Sequence, residues 1–371
     1  MSETGICRWG ILGTATISRK TWKAICNAEN ARLVAVASRN RPRCEEFIAN
    51  CQSQIAHTPI PTAYDNYEGL IGSKDIDAVY IPLPTGLRKK WVELAAKSGK
   101  HVLCEKPCAI NADDLKEMID VCAQNNVQFM DNVMYMHSGR LGQLRKVMQA
   151  DDGIGDLRRI ATQFSFNAPD EFFADNIRTS SELEPQGCLG DLGWYTIRFC
   201  LWAMNYELPT HLSATMHSEL KRSDSPASVP VEVSCNMQFE NGVSASFYCS
   251  FRTHHQQWAN ISGSQGYIHV QDYVLPFFGA EVGFELINAL FTEEGCDFNM
   301  EKRARRFSIN EFSNSNKCAQ ETNLIRTFSK LVTTNKIDKH WPEISLKTQL
   351  VLDACMESAT NGGKKVQISA T

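Results

Sequence analysis

The chain has 371 residues, 43% of them hydrophobic and 22% charged, which is an ordinary globular composition and enough length for two domains. A formal net charge of −4 provides no basic surface for nucleic acid or an anionic membrane, so neither is expected as a partner. The opening stretch MSETGICRWG lacks the basic and apolar regions of a signal peptide, and no apolar run approaches membrane-spanning length, so a soluble cytoplasmic protein is expected. Fourteen cysteines show no CxxC spacing; they read as reduced, mostly buried small residues, and no metal site is expected.

In chain order, CRWGIL (7–12) reads as a short apolar strand, GTATIS (13–18) as a tight turn and RKTWKAICNAEN (19–30) as a helix. A second strand, RLVAVASRN (32–40), is followed by a helix that Asn40 caps and Pro42 enters in its first turn. DIDAVYIPLP (75–84) and GKHVLCEKP (99–107) are further strands, reached through the helical patterns DNYEGLIGS (65–73) and LRKKWVELAAKSG (87–99), and VQFMDNVMY (127–135) is one more. This alternation predicts an α/β, doubly wound parallel sheet over residues 1–131, with its ligand edge at the strand C-termini.

Two features of that edge suggest a dinucleotide. The turn Gly13-Thr14-Ala15-Thr16-Ile17-Ser18 keeps only the first glycine of G-x-G-x-x-G, but Ala15 and Ser18 are small enough for a phosphate to approach the backbone. An unrelated small-residue turn would look similar. The second strand ends Ala37-Ser38-Arg39-Asn40, with Arg41 and Arg43 behind and no acid before Glu45, where an NAD site would place a carboxylate for the ribose. Ser38, Arg39 and Arg43 suit a 2′-phosphate, so NADP is expected over NAD; the alternative is a solvated basic turn.

The tripeptide Glu105-Lys106-Pro107 closes a later strand at the same edge. With DIDAVYIPLPTGLR (75–88) and Asp191-Leu192-Gly193-Trp194-Tyr195, it resembles the glucose–fructose oxidoreductase and inositol dehydrogenase (Gfo/Idh/MocA) family, over nearly the whole chain. NIRTSSEL…GCLGDLGWYTIR looks most like the branch of NADP-dependent D-xylose dehydrogenases and dimeric dihydrodiol dehydrogenases.

The resemblance implies a cofactor set of Gly13, Thr14, Ala15, Thr16, Ile17, Ser38, Arg39, Arg43, Pro82, Leu83, Pro84, Glu105 and Lys106. It also implies a commonly cis Lys106–Pro107 bond, a lysine that reaches the substrate hydroxyl with Glu105 orienting it, and Tyr195 as proton donor or acceptor. A phenol is a poor base at its ordinary pKa of about 10, so Lys106 and Tyr195 are expected to act as one catalytic unit, with Asp191 four residues before Tyr195 on one helical face. Without the resemblance, a tyrosine on a tryptophan-rich helix reads as core.

Arg178, His137 and Arg88 are candidate substrate residues; the first two could equally be surface or capping residues. Arg88 stands where many relatives carry histidine. It could bind an anionic substrate group, or it could be part of a solvated RKKW helix face.

From about residue 132 the pattern alternates: LRRIATQFSF, PTHLSATMHS, VPVEVSCNMQF, GVSASFYCSFRT, WANISGS and GYIHVQD predict a large, mostly antiparallel open sheet in an α+β second domain, residues 132–371. One face should pack on the GDLGWYTIRFCLW helix, and the resemblance implies that the other meets a second subunit. Amphipathic helices follow from 317, the last of them able to pack back on the first domain. The expected function is hydride transfer between NADP(H) and a carbinol or carbonyl of a sugar, polyol, diol or similar small molecule. The alternatives are a non-catalytic NADP-sensing regulator and a specialised-metabolite reductase or lyase using the same site.

Overall fold

The computed structural model describes residues 5–368. In chain order the first elements are β1 (Cys7–Leu12), α1 (Ser18–Asn27), β2 (Ala31–Ala37), α2 (Arg41–Gln52), β3 (Thr62–Tyr64), α3 (Tyr67–Gly72), β4 (Ala78–Ile81), α4 (Thr85–Lys97), β5 (His101–Cys104), α5 (Ala112–Gln124) and β6 (Phe129–Asp131). After α6 (Gly139–Met148), β7 (Leu157–Ser165), α7 (Asp170–Asp175) and α8 (Trp194–Ala203) come the strands β8 (His211–Leu220), β9 (Val229–Gln238), β10 (Ser244–Ser250), β11 (Ala259–Gly263), β12 (Tyr267–Val270), β13 (Val282–Glu294) and β14 (Asp297–Ile309). The chain closes with α9 (Gln320–Thr333), α10 (His340–Thr360) and β15 (Val366–Gln367).

The residues form two compact units. The first holds residues up to His137 together with 182–185 and 314–349, and the second holds the remainder. The first unit is therefore not a single stretch ending at residue 131, because Trp9, buried in β1, donates its indole N–H to Ser329 on α9 at 3.0 Å and its ring meets Phe328.

In the first unit six parallel strands lie in the order β3-β2-β1-β4-β5-β6. The order reverses between β1 and β4, which puts the crevice of a doubly wound sheet beyond their C-terminal ends. Apolar β1, β4 and β5 are almost wholly buried, as a parallel sheet covered on both faces requires. The helix starts follow local chemistry: Asn40, Asn66 and Asn111 each accept a backbone N–H in the first turn of α2, α3 and α5, and Pro42 stands in the first turn of α2.

The second unit carries a nine-stranded sheet in the order β14-β13-β12-β11-β7-β10-β9-β8-β15. Its pairings are antiparallel except for β7 with β10. One face is covered by α8, every residue of which is buried, with Cys200 against Thr162 of β7. The six strands predicted from alternation are present as β7 to β12. The turn Glu240-Asn241-Gly242 connects β9 to β10 with Gly242 at φ +82°, a value suited to glycine. Three further strands, β13, β14 and β15, were not expected. Most cysteines are buried and all are free thiols, and Cys26 and Cys296 are exposed. Among the described residues no helix is long and apolar enough to cross a membrane.

Candidate active site

In the first unit the residues singled out from the sequence come together at the C-terminal edge of the parallel sheet. The turn after β1 begins at Gly13, whose φ of +120° is one that side-chain-bearing residues rarely adopt. A Cβ there would lie 3.3 Å from Leu83 Cδ2, so the turn sits tightly against the Pro82-Leu83-Pro84 loop after β4. Ser18 Oγ donates to the Gly13 carbonyl at 3.3 Å, and α1 starts at Ser18 with no side chain capping its N-terminus. Helix N-terminus, permissive glycine and small residues at 15 and 18 make a cradle that fits a pyrophosphate.

Ser38 is buried after β2, and its backbone N–H donates to Tyr64 O at 3.1 Å. Arg39 and Arg43 are exposed. Burial pushes the Tyr67 phenol above its usual pKa, with the Arg39 charge pulling the other way. Glu45, the first acid after the strand, is engaged by Arg41 Nε at 2.8 Å. A 2′-phosphate would find cations at this strand end, with the first acid already paired.

After β5 the Lys106–Pro107 bond is cis, as the resemblance implied. Glu105 stands just before it. Its buried carboxylate accepts the Tyr80 hydroxyl at 2.6 Å and the Asn132 amide at 2.5 Å on Oε1, and the backbone N–H of Lys106 on Oε2 at 3.2 Å. The carboxylate thus anchors the peptide of Lys106 to β4 and to the end of β6. Tyr80 stays a phenol, because burial first and then the Glu105 charge raise its pKa well above the ordinary value. Tyr80 and Asn132 escaped the sequence reading; a tyrosine in a strand buried on both faces needs a partner for its hydroxyl, and that signal was available.

Arg88 departs from one of its two expectations. It is 4% exposed, so it is no solvated helix-face residue, unlike Lys89, which pairs with Asp114 and Glu117. Two of its three nitrogens donate within the protein: Nε to Leu83 O at 2.5 Å, and Nη1 to Glu105 O at 2.8 Å and to Pro107 O. Glu184 Oε1 stands 4.0 Å from Nη2, and the same carboxylate accepts the Thr85 N–H at 3.0 Å and its hydroxyl at 2.5 Å, capping α4. His137 lies in a 3₁₀ turn with its ring stacked on Trp341 at 4.6 Å, and its carbonyl accepts the Asn323 amide.

In the second unit Asp191 lies in a π-helical turn, Leu189–Gly193, that leads directly into α8. The helix expected to carry both Asp191 and Tyr195 is therefore a π turn joined to an α-helix. Such turns occur frequently at functional sites. Arg178, in a 3₁₀ turn, donates from Nε to Asp191 Oδ2 at 2.8 Å, and the Asp191 side chain is 14% exposed. Tyr195, in the first turn of α8, is 7% exposed and meets the edge of Phe164.

A family model described as "Oxidoreductase family, NAD-binding Rossmann fold" matches residues 7–133, and one described as "GFO/IDH/MocA C-terminal domain" matches residues 137–269. The chain belongs to the GFO/IDH/MocA oxidoreductase family. It is 28% identical to D-xylose 1-dehydrogenase (NADP(+)) 2 of Haloferax volcanii, over 95% of this chain and 98% of that one. It is 31% identical to dTDP-3,4-didehydro-2,6-dideoxy-α-D-glucose 3-reductase of Saccharopolyspora spinosa, over 72% of this chain and 76% of that one. Among solved structures, KijD10, a 3-ketoreductase from Actinomadura kijaniata in complex with NADP and TDP-benzene, has the same fold, with a TM-score of 0.78 at 22% identity over 95% of this chain and 98% of that one.

Proposed function

We propose that this oxidoreductase moves hydride between NADP(H) and a carbinol or carbonyl carbon of a sugar, diol or similar small polar molecule, with Lys106 and Tyr195 managing the proton. The observation that carries the reading is the convergence, at one edge of the parallel sheet, of the Gly13 turn, the arginine-bearing end of β2 and Lys106 after β5. The turn from Gly13 to Ile17 would hold the pyrophosphate, and Ser38, Arg39 and Arg43 the 2′-phosphate. When bound, the nicotinamide supplies or takes up the hydride.

The protein's part is acid–base chemistry. In reduction Tyr195 gives its phenolic proton to the carbonyl oxygen as the hydride reaches carbon, and in oxidation the phenolate removes the carbinol proton. The Lys106 ammonium stabilises the anionic oxygen in either direction. Asp191, held by Arg178, orients the substrate's hydroxyl groups. The names of the two relatives, a sugar dehydrogenase and a keto-sugar reductase, support both directions and a carbohydrate substrate. We also assign the uncovered polar face of the second unit's sheet, which includes Ser234, Ser246 and Asn260, to a second copy of the chain, giving a homodimer.

The deciding experiment offers the purified protein D-xylose, other neutral aldoses, vicinal diols and a dTDP-linked keto sugar with NADP⁺ or NADPH, followed by NADPH absorbance. Turnover with a member of the panel supports the reading. Tight NADPH binding without turnover on any of them would favour a nucleotide-sensing regulator instead.

A further inference from the structure

Arg88 carries a role that its position on a lysine-rich helix face conceals. A buried guanidinium is costly unless its charge is balanced and its N–H groups are satisfied. Here Nη1 donates to Glu105 O at 2.8 Å and to Pro107 O, the carbonyls immediately before and after Lys106. Nε donates to Leu83 O at 2.5 Å and so ties the same group to the loop after β4. The counter-charge is Glu184, from the short stretch 182–185 that lies on the start of α4. That approach depends on Gly86. Its N–H donates to Leu183 O at 3.0 Å, and a Cβ would stand 2.3 Å from Glu182 O.

We propose that Arg88 is a positioning residue for Lys106: by holding the carbonyls on both sides of it, with Glu184 as counter-charge, the planar guanidinium fixes where the lysine ammonium is presented. Lysine cannot substitute fully, because one tetrahedral ammonium does not reproduce a fork that reaches three carbonyls from two nitrogens. The inference rests on the proposed role of Lys106, and it extends that role to a residue that acts through the carbonyls flanking the lysine.

The test uses the full-length protein and a probe that needs no substrate: acetic anhydride labelling of lysines across pH 6–10, quantified peptide by peptide by mass spectrometry. In Arg88→Lys the labelling profile of Lys106 should change at least about threefold in rate or shift visibly in pH midpoint. Lys89 and Lys90 should keep the parent profile, and Arg88→Met should show a larger change than Arg88→Lys. Glu184→Gln, which retains an acceptor for the Thr85 N–H while removing the counter-charge, should shift Lys106 in the same direction by less and serves if the Arg88 variants do not fold. An unchanged Lys106 profile in folded variants, with only a lowered Tm, would show that Arg88 is purely structural and overturn the inference. Turnover separates this from the underlying reading. An active Lys106→Met protein would sink the catalytic role of Lys106, whereas an inactive Lys106→Met beside an Arg88→Lys of parent kcat would sink only the positioning role.

Discussion

Arg178 Nε lies 2.8 Å from Asp191 Oδ2, and so fixes a carboxylate that stands inside a π-helical turn four residues before Tyr195. The pair is unequal in exposure, the arginine side chain being 41% exposed and the aspartate 14%. The carboxylate is thus the sheltered partner and the arginine its reachable brace. If Asp191 orients substrate hydroxyls, Asp191→Asn should lower kcat/KM by about 10- to 100-fold while NADPH affinity stays within about threefold. Arg178→Ala should cost less, about 3- to 10-fold. Steady-state kinetics with cofactor fluorescence titration checks both, and an Asp191→Asn protein of parent kcat/KM would remove Asp191 from the site.

The end of β2 makes a second expectation quantitative. Arg39 is exposed, and the nearest following acid, Glu45, is bound to Arg41. NADPH should therefore bind at least about tenfold more tightly than NADH, and Arg39→Ala should remove most of that difference through loss of a charge-assisted contact to phosphate. Calorimetric titration of both cofactors against both proteins measures it. Equal affinities in the parent would return the strand end to an ordinary solvated turn.

How far the sequence could be read depended on whether the cause was local. Asn40 with Pro42 announced α2, and the alternation from Leu157 to Val270 announced six strands, because caps and periodicity act within a few residues. The hairpin of β13 and β14 stayed hidden. Almost all of Asp297–Ile309 is exposed and DFNMEKRARRFSI carries six charged residues, so no face is marked as buried. α5 was overlooked even though Asn111 caps it. The place of Lys106 after β5 at the sheet edge was legible from its motif, whereas the role proposed for Arg88 was not. That role exists only because folding brings the carbonyls of Leu83, Glu105 and Pro107 around one side chain and supplies Glu184 from about a hundred residues away. The return of residues 314–349 to the first unit is non-local in the same sense.

Gly86 gives a stability prediction with a clear steric cause. A methyl group there would stand 2.3 Å from Glu182 O, a backbone atom that cannot turn aside as a side chain would. Gly86→Ala should destabilise the protein by about 1–3 kcal/mol, in the range of other forced overpacking, despite the better helix propensity of alanine. Thermal unfolding beside Gly72→Ala, where a Cβ meets nothing within 4 Å, isolates the clash from the general effect of the substitution. Equal Tm values for the two variants would mean that the 182–185 stretch gives way freely.

The last prediction concerns pH and His101, the first residue of β5. Its Nδ1 accepts the backbone N–H of Gln128 at 2.9 Å, which requires that nitrogen to be unprotonated. Burial is the main cause that lowers its pKa below 6.5, with Asp77 pulling the other way. A histidine whose folded pKa lies below its unfolded value favours the neutral form in the fold. Its contribution to stability is complete above about pH 6.5 and is lost as pH falls through the folded value, where the unfolded chain binds the proton first. His57 and His269 are also lowered by burial and will add to the same slope, so a comparison of variants is needed rather than the parent curve alone. His101→Gln keeps an acceptor for Gln128 without a titrating group. Between pH 7.5 and 5.5 the parent should lose more in Tm than this variant. Parallel Tm profiles for the two proteins would show that His101 contributes nothing to the acid sensitivity of the fold.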